Sequence, residues 1–228
     1  MSLVVTENKK KKDPNNRVQD GTYMTRIVQV IDLGEQVHTD WKTGEPVLDE
    51  RSGEPIYQHK VLITFEFPTE RITVDGEDLP RWQSKDYTLS MHEKAALVGL
   101  IKSADPTAKL KGYNLTNLID KPVMATISTT GGGNAKVSGV TGVPKGIPVP
   151  PLENDPRTFD MSNPDSEVWD NLPKWQQEKI QSARNYPGSA LEDLLENPKN
   201  DSRVKTNKPA KAQEDDPVQE QFDDDIPF

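Results

Sequence analysis

The chain has 228 residues, no cysteine, a net charge of -9 and a mean hydropathy of -0.78. Hydrophobic residues make up 32%, and with the 14 glycines about 38%, where ordinary globular chains hold roughly 45–50%. A fully packed globule, a membrane-spanning run of about 18 apolar residues, a disulfide framework and a cysteine-ligated zinc site are therefore not expected.

The N-terminus lacks the apolar core of a signal peptide, and with the missing cysteines this fits a cytoplasmic chain. Lys9, Lys10, Lys11, Lys12 and Arg17 make residues 1–19 a basic, disordered arm, solvated or in contact with a nucleic-acid backbone. Gly21 opens a first strand with apolar residues on both faces (Tyr23, Ile27, Ile31 and Leu33 against Met24, Val28 and Val30). Gly34 ends or bulges it. Residues 35–55 form a polar excursion with Gly44, Pro46, Gly53 and Pro55, carrying Trp41 with little apolar company. A second strand covers residues 56–67, with Val61, Ile63, Phe65 and Phe67 on one face, and Pro68 stops it. Asp75-Gly76-Glu77 turns the chain into a third strand over residues 81–89.

The period then changes. Ser90 with Glu93 has the spacing of a capping box, and Leu97, Leu100 and Ile101 form a helical stripe ending before Asp105-Pro106. Residues 115–120 add a helical turn. Val123, Ala125 and Ile127 alternate as a fourth strand, Gly131-Gly132-Gly133-Asn134 turns, and residues 135–143 form a fifth. Three strands, a helix and two strands is the element order of an OB-fold, a five-stranded Greek-key barrel, here over residues 20–147. Residues 148–197 read as a Pro-rich wrap and helical extension: a helix over residues 167–184 interrupted at Pro173, then a short one with Leu191, Leu194 and Leu195. The extension either docks on the barrel or receives a partner. Beyond Asn197 the composition is that of disorder.

Enzyme chemistry finds little support. His38, His59 and His92 share no metal-ligand spacing, and Ala96 stands where a His92-Glu93 zinc-protease motif needs its second histidine. Gly131 to Asn134 lacks the Lys-Ser/Thr of a phosphate loop. No catalytic residue, metal or cofactor is assigned. Aromatic and basic residues are instead interleaved on the strands, as single-strand binders need for base stacking and phosphate contact. The candidates are Tyr23, Arg26, Tyr57, Lys60, Arg81, Trp82, Lys85, Tyr87 and Lys136. Parity sets Arg81, Lys85 and Tyr87 on one face and Trp82 on the other, so a regular groove cannot use all four.

Residues 1–150 hold 19 bases and 19 acids, so the whole net charge lies in residues 151–228. Residues 212–228 carry seven acids and no base, and the last six residues are Asp223, Asp224, Asp225, Ile226, Pro227 and Phe228. This ending closely resembles the C-terminal tip of bacterial single-stranded DNA-binding proteins. The resemblance implies that Asp223 to Phe228 recruit replication, recombination or repair proteins: acids steer, and Ile226 and Phe228 fill an apolar pocket. Gly21-Thr22-Tyr23, Tyr87-Thr88-Leu89-Ser90 and Leu172-Pro173-Lys174-Trp175 resemble single-stranded DNA-binding proteins of tailed bacteriophages over residues 20–185. That implies an OB-fold and binding of single-stranded DNA with little sequence preference. An accessory factor that binds duplex DNA or protein, and a metal-dependent nuclease, are the alternative readings.

Overall fold

The computed structural model describes residues 17–40, 42–74 and 76–197. The expectations for the N-terminal lysines, Trp41 and the acidic segment lie outside these residues. The strands are β1 (Gly21–Val37), β2 (Tyr57–Val74), β3 (Glu77–Thr88), β4 (Pro122–Thr129), β5 (Ala135–Gly142) and β6 (Arg157–Phe159). The helices are α1 (Ala96–Ala104), α2 (Ser166–Asp170), α3 (Lys174–Gln181) and α4 (Ala190–Glu196), with a 3-10 turn at Leu115–Leu118. No helix among the described residues is long and apolar enough to cross a membrane.

The fold is a mainly antiparallel sheet in the order β3-β2-β1-β4-β5, with α1 between β3 and β4 in sequence. It does not close into a barrel. No ladder joins β3 to β5; a side-chain amide spans the gap, Gln83 Nε2 donating to Ala135 O at 3.2 Å. A sixth strand was also not expected. β4 pairs with β1 only as far as Arg26, and β6 takes up the same margin in parallel at Gln29, Val30 and Ile31. Nine of the 17 residues of β1 thus have a strand partner along that margin.

Two apolar clusters lie on opposite faces of the sheet; the register shift between Ile27 and Gln29 reverses the parity of β1, so Ile27 shares a face with Val30, and Ile31 and Leu33, expected beside Ile27, lie on the other. Ile27, Val30, Ile63, Phe65 and Phe67 pack with Leu97, Leu100 and Ile101 of α1 and with Val123, Ala125 and Ile127 of β4. Across the sheet, Ile31, Leu33 and Leu62 pack with Phe159, Met161, Trp169, Leu172, Ile180 and Leu191. The helical extension is therefore docked. Gly34 carries its close approach: φ is +70°, and a Cβ there would lie 2.7 Å from both Ala183 Cβ and Asn185 Oδ1.

At Gly34 the bulge, one of the two expected outcomes, is observed, and β1 runs on to Val37. Other local expectations are corrected: β2 passes Pro68 with a register shift between Phe67 and Arg71. Ser90 does not cap α1, whose N-cap is Ala95 with no side-chain cap; the Ser90 hydroxyl instead accepts from His92 N at 3.3 Å. The interruption expected at Pro173 within residues 167–184 is observed: Pro173 supplies no N–H and becomes the N-cap of a second helix, α3.

The excursion after β1 is not irregular. Asp40-Trp41-Lys42-Thr43-Gly44-Glu45-Pro46-Val47 and Asp49-Glu50-Arg51-Ser52-Gly53-Glu54-Pro55-Ile56 are two copies of one unit, nine residues apart. In the first turn Gly44 N donates to Asp40 O, and Lys42 N and Thr43 N donate to Asp40 Oδ1. In the second, Gly53 N donates to Asp49 O, and Arg51 N and Ser52 N donate to Asp49 Oδ1. Gly44 and Gly53 have φ of +71° and +70°. The units join through a closed ring: His38 N donates to Ile56 O, Val47 N to His38 O and Ile56 N to Val47 O, each at 2.8 Å.

Candidate nucleic-acid interface

Cross-strand partners share a face of the sheet, so the ladder of β2 and β3 sorts the candidates. Arg81, Lys85 and Tyr87 pair with Phe67, Ile63 and Val61, all in the first core cluster, whereas Trp82 pairs with Glu66 on the opposite face. The parity expected from the sequence is the parity observed, and the nine candidates do not form one groove.

Six of them are built into the fold. Tyr87 is buried in the first cluster, and burial pushes its phenol pKa up. Lys60 is buried and its Nζ donates to Thr88 Oγ1 at 2.9 Å. Arg26 is a clasp: Nε donates to Pro150 O at 2.6 Å, Nη2 to Val149 O at 3.1 Å, and Nη1 to Asp120 O at 2.6 Å. Trp82 is half-buried, with Nε1 donating to Glu66 Oε2 at 3.2 Å and the Arg157 guanidinium 5.7 Å from its ring centroid. Tyr57 carries the Arg184 guanidinium at 4.7 Å. Tyr23 packs edge-on against Phe67 at 5.6 Å and donates its hydroxyl to Gln19 O at 2.8 Å. Burial, then Glu70 and Asp20, hold its phenol above the usual pKa.

Residues that the sequence reading did not single out make these contacts. Glu66 is fully buried and accepts from Glu153 N at 2.8 Å, Asn154 N at 3.2 Å and Asn154 Nδ2 at 2.7 Å, besides Trp82. With Arg26 it straps residues 149–154 across the outer face of the sheet. One signal was legible: Glu66 alternates with the apolar run of β2, on the face where a solvated strand is polar.

Two of the remaining three candidates share a face. Gln83 reaches Ala135, so Arg81 and Lys85, two residues either side of Gln83 on its face, lie along the seam between β3 and β5, whereas Lys136 pairs with Ser128 and points to the opposite face from its neighbours Ala135 and Val137. The Lys85 ammonium sits 5.5 Å from the Tyr87 ring centroid, and Arg81 Nε donates to Arg71 O at 3.0 Å. At the turn joining β4 to β5, Arg17 donates to Gly133 O. The seam carries fixed positive charge beside two strand margins that have no ladder partner in each other.

A cleft of about 1000 Å³ lies elsewhere, between the β1–β2 end, β6 and α4, with Asp32, His59, Tyr113, Asp160 and Asn185 among its walls. His59 Nε2 and Asp32 Oδ1 are 2.6 Å apart. The hydrogen bond to Asp32 raises the His59 pKa against the effect of burial, and Asp32, Glu35 and Asp160 add to the rise. The Tyr113 hydroxyl is buried without a protein partner. Acids outnumber cations here, so this cleft is poorly suited to a polyanion. Among the described residues no group of three or more His, Cys, Asp or Glu side chains could hold a metal ion.

No family model, curated protein or solved structure matches the chain.

Proposed function

We propose that the chain is a non-enzymatic single-stranded DNA-binding protein of the tailed-bacteriophage type, with an OB-type body. The acidic segment carries this reading: Asp223-Asp224-Asp225-Ile226-Pro227-Phe228, in a stretch of seven acids without a base, resembles the recruitment tip of bacterial single-stranded DNA-binding proteins. The strand order and the position of α1 agree with it, since an OB-fold is a partly open five-stranded Greek-key barrel. Single-stranded DNA runs along the β3–β5 seam, with phosphates at Arg81 and Lys85. The tip recruits replication, recombination or repair proteins, and the polyanion around it competes with DNA for the seam.

A salt titration of oligo(dT) binding tests this. Deleting residues 212–228 raises affinity, most at low salt. Replacing Arg81 and Lys85 by alanine flattens the slope of log K against log salt by about 1.4, at about 0.7 per phosphate contact. Equal affinity for duplex DNA, or no binding at low salt, overturns the reading.

A further inference from the structure

We propose that Lys9, Lys10, Lys11 and Lys12 continue the nucleic-acid path beyond the Arg81 end of the β3–β5 seam, binding the next phosphates of the same strand. This rests on the single-stranded DNA reading above. The four lysines precede the described residues, but the point at which the chain joins the body after them is fixed. Val18 is 3% exposed and sits in the first apolar cluster. Arg17 donates to Gly133 O, Gln19 O accepts from the Tyr23 hydroxyl at 2.8 Å, and Asp20 accepts from Thr129 Oγ1. Residues 17–20 are thus clamped to the β4–β5 turn and the start of β1.

Two independent routes place that clamp beside the seam. Gly133 is two residues before Ala135, whose carbonyl takes the Gln83 amide midway between Arg81 and Lys85. Across the sheet, Gln19 binds Tyr23, Tyr23 packs on Phe67 at 5.6 Å, and Phe67 is the ladder partner of Arg81. Lys85 pairs instead with Ile63, and Ile63 with Val30, seven residues beyond Tyr23 along β1. Arg81 is therefore the near end. Chain length limits where the lysines go: Lys12 is five residues from Arg17 and Lys9 eight. At about 3.5 Å per residue they stay within about 18 Å and 28 Å of it. The body offers an anion little here, since Asp20 and Glu70 lie close enough to Tyr23 to act on its phenol. A strand leaving the seam past Arg81 meets those carboxylates, and four successive lysines on so short a tether offset them at high effective concentration.

The test uses the full chain and oligo(dT). It compares the parent with a Lys9→Ala/Lys10→Ala/Lys11→Ala/Lys12→Ala variant and with Arg81→Ala/Lys85→Ala. The quadruple variant loses affinity and flattens the slope of log K against log salt by about 2.8, at about 0.7 per contact. Position is read separately. The chain has no cysteine, so Lys12→Cys supplies a single thiol for a fluorescent donor. On the shortest oligo(dT) that binds fully, energy transfer is strong to an acceptor at one end of the strand and weak to the other. Equal slopes for the parent and the quadruple variant, or equal transfer to both ends, overturn this proposal and leave the seam standing. A parent that does not bind oligo(dT), or an Arg81→Ala/Lys85→Ala variant with the parent's slope, overturns the seam and this extension with it.

Discussion

Gln83 and Ala135 hold the two free margins of the sheet against each other, through one hydrogen bond from a side-chain amide to a backbone carbonyl at 3.2 Å. Gln83 is 8% exposed, and its neighbours on the same face are the cations of the seam. Replacing Gln83 with alanine leaves the Ala135 carbonyl without this donor in a poorly hydrated gap. Stability in urea falls by about 1–2 kcal/mol. Amide exchange accelerates first in β3 and β5, where the contact is lost.

Glu66 organises the strap over the outer face. Its carboxylate takes four hydrogen bonds from Trp82, Glu153 and Asn154 in a site with no solvent exposure. Glu66→Ala strands these donors and costs about 3 kcal/mol or more. Trp82 emission moves to the red, and residues 149–154 become sensitive to protease. A variant with parent stability and parent emission contradicts this role.

The His59–Asp32 pair makes stability depend on pH in a definite direction. The folded His59 pKa is raised, chiefly by its hydrogen bond to Asp32. Its stabilising contribution is therefore complete below the unfolded histidine value, about 6.5, and fades as pH rises through the higher folded value. Urea midpoints of the parent, measured from pH 6 upward, fall relative to those of His59→Gln. Parallel curves exclude the linkage.

The two turn aspartates behave in the opposite sense. Backbone N–H groups, from Thr43 and then Lys42 at Asp40, and from Ser52 and then Arg51 at Asp49, lower both carboxyl pKa values. Their contribution is present above the unfolded value, about 3.9, and is lost as pH falls through the depressed folded values. Asp40→Ala with Asp49→Ala opens the two turns, read as faster exchange of the Lys42, Thr43, Arg51 and Ser52 amides. The global urea midpoint shifts little, because no core residue is touched.

The body's strands were legible wherever periodicity is local. Val61, Ile63, Phe65 and Phe67 alternate and lie on one buried face, whereas in the first strand a bulge after Ile27 moves Ile31 and Leu33 to the face opposite Ile27, which alternation alone did not reveal. Pro68 misled, since a register shift accommodates it within a longer strand, while the bulge at Gly34 was one of the two outcomes expected there. The nine-residue repeat was legible in principle as self-similarity, but its glycines and prolines also look like any loop. Among the site candidates, Arg81, Lys85 and Tyr87 were assigned a common face correctly, because parity survives into the ladder.

The sequence by itself determined where charge collects and which residues alternate, because both depend only on order along the chain. It could not separate Lys60 from Lys85, or Trp82 from a free stacking platform. Only the tertiary structure decided that Arg157 and Arg184 cover Trp82 and Tyr57, that Arg26 clasps the strap, and that β3 and β5 meet through Gln83. Each of those outcomes depends on which distant segment reaches a buried polar atom first. Burial makes such atoms demand partners, and their partners are far away in sequence.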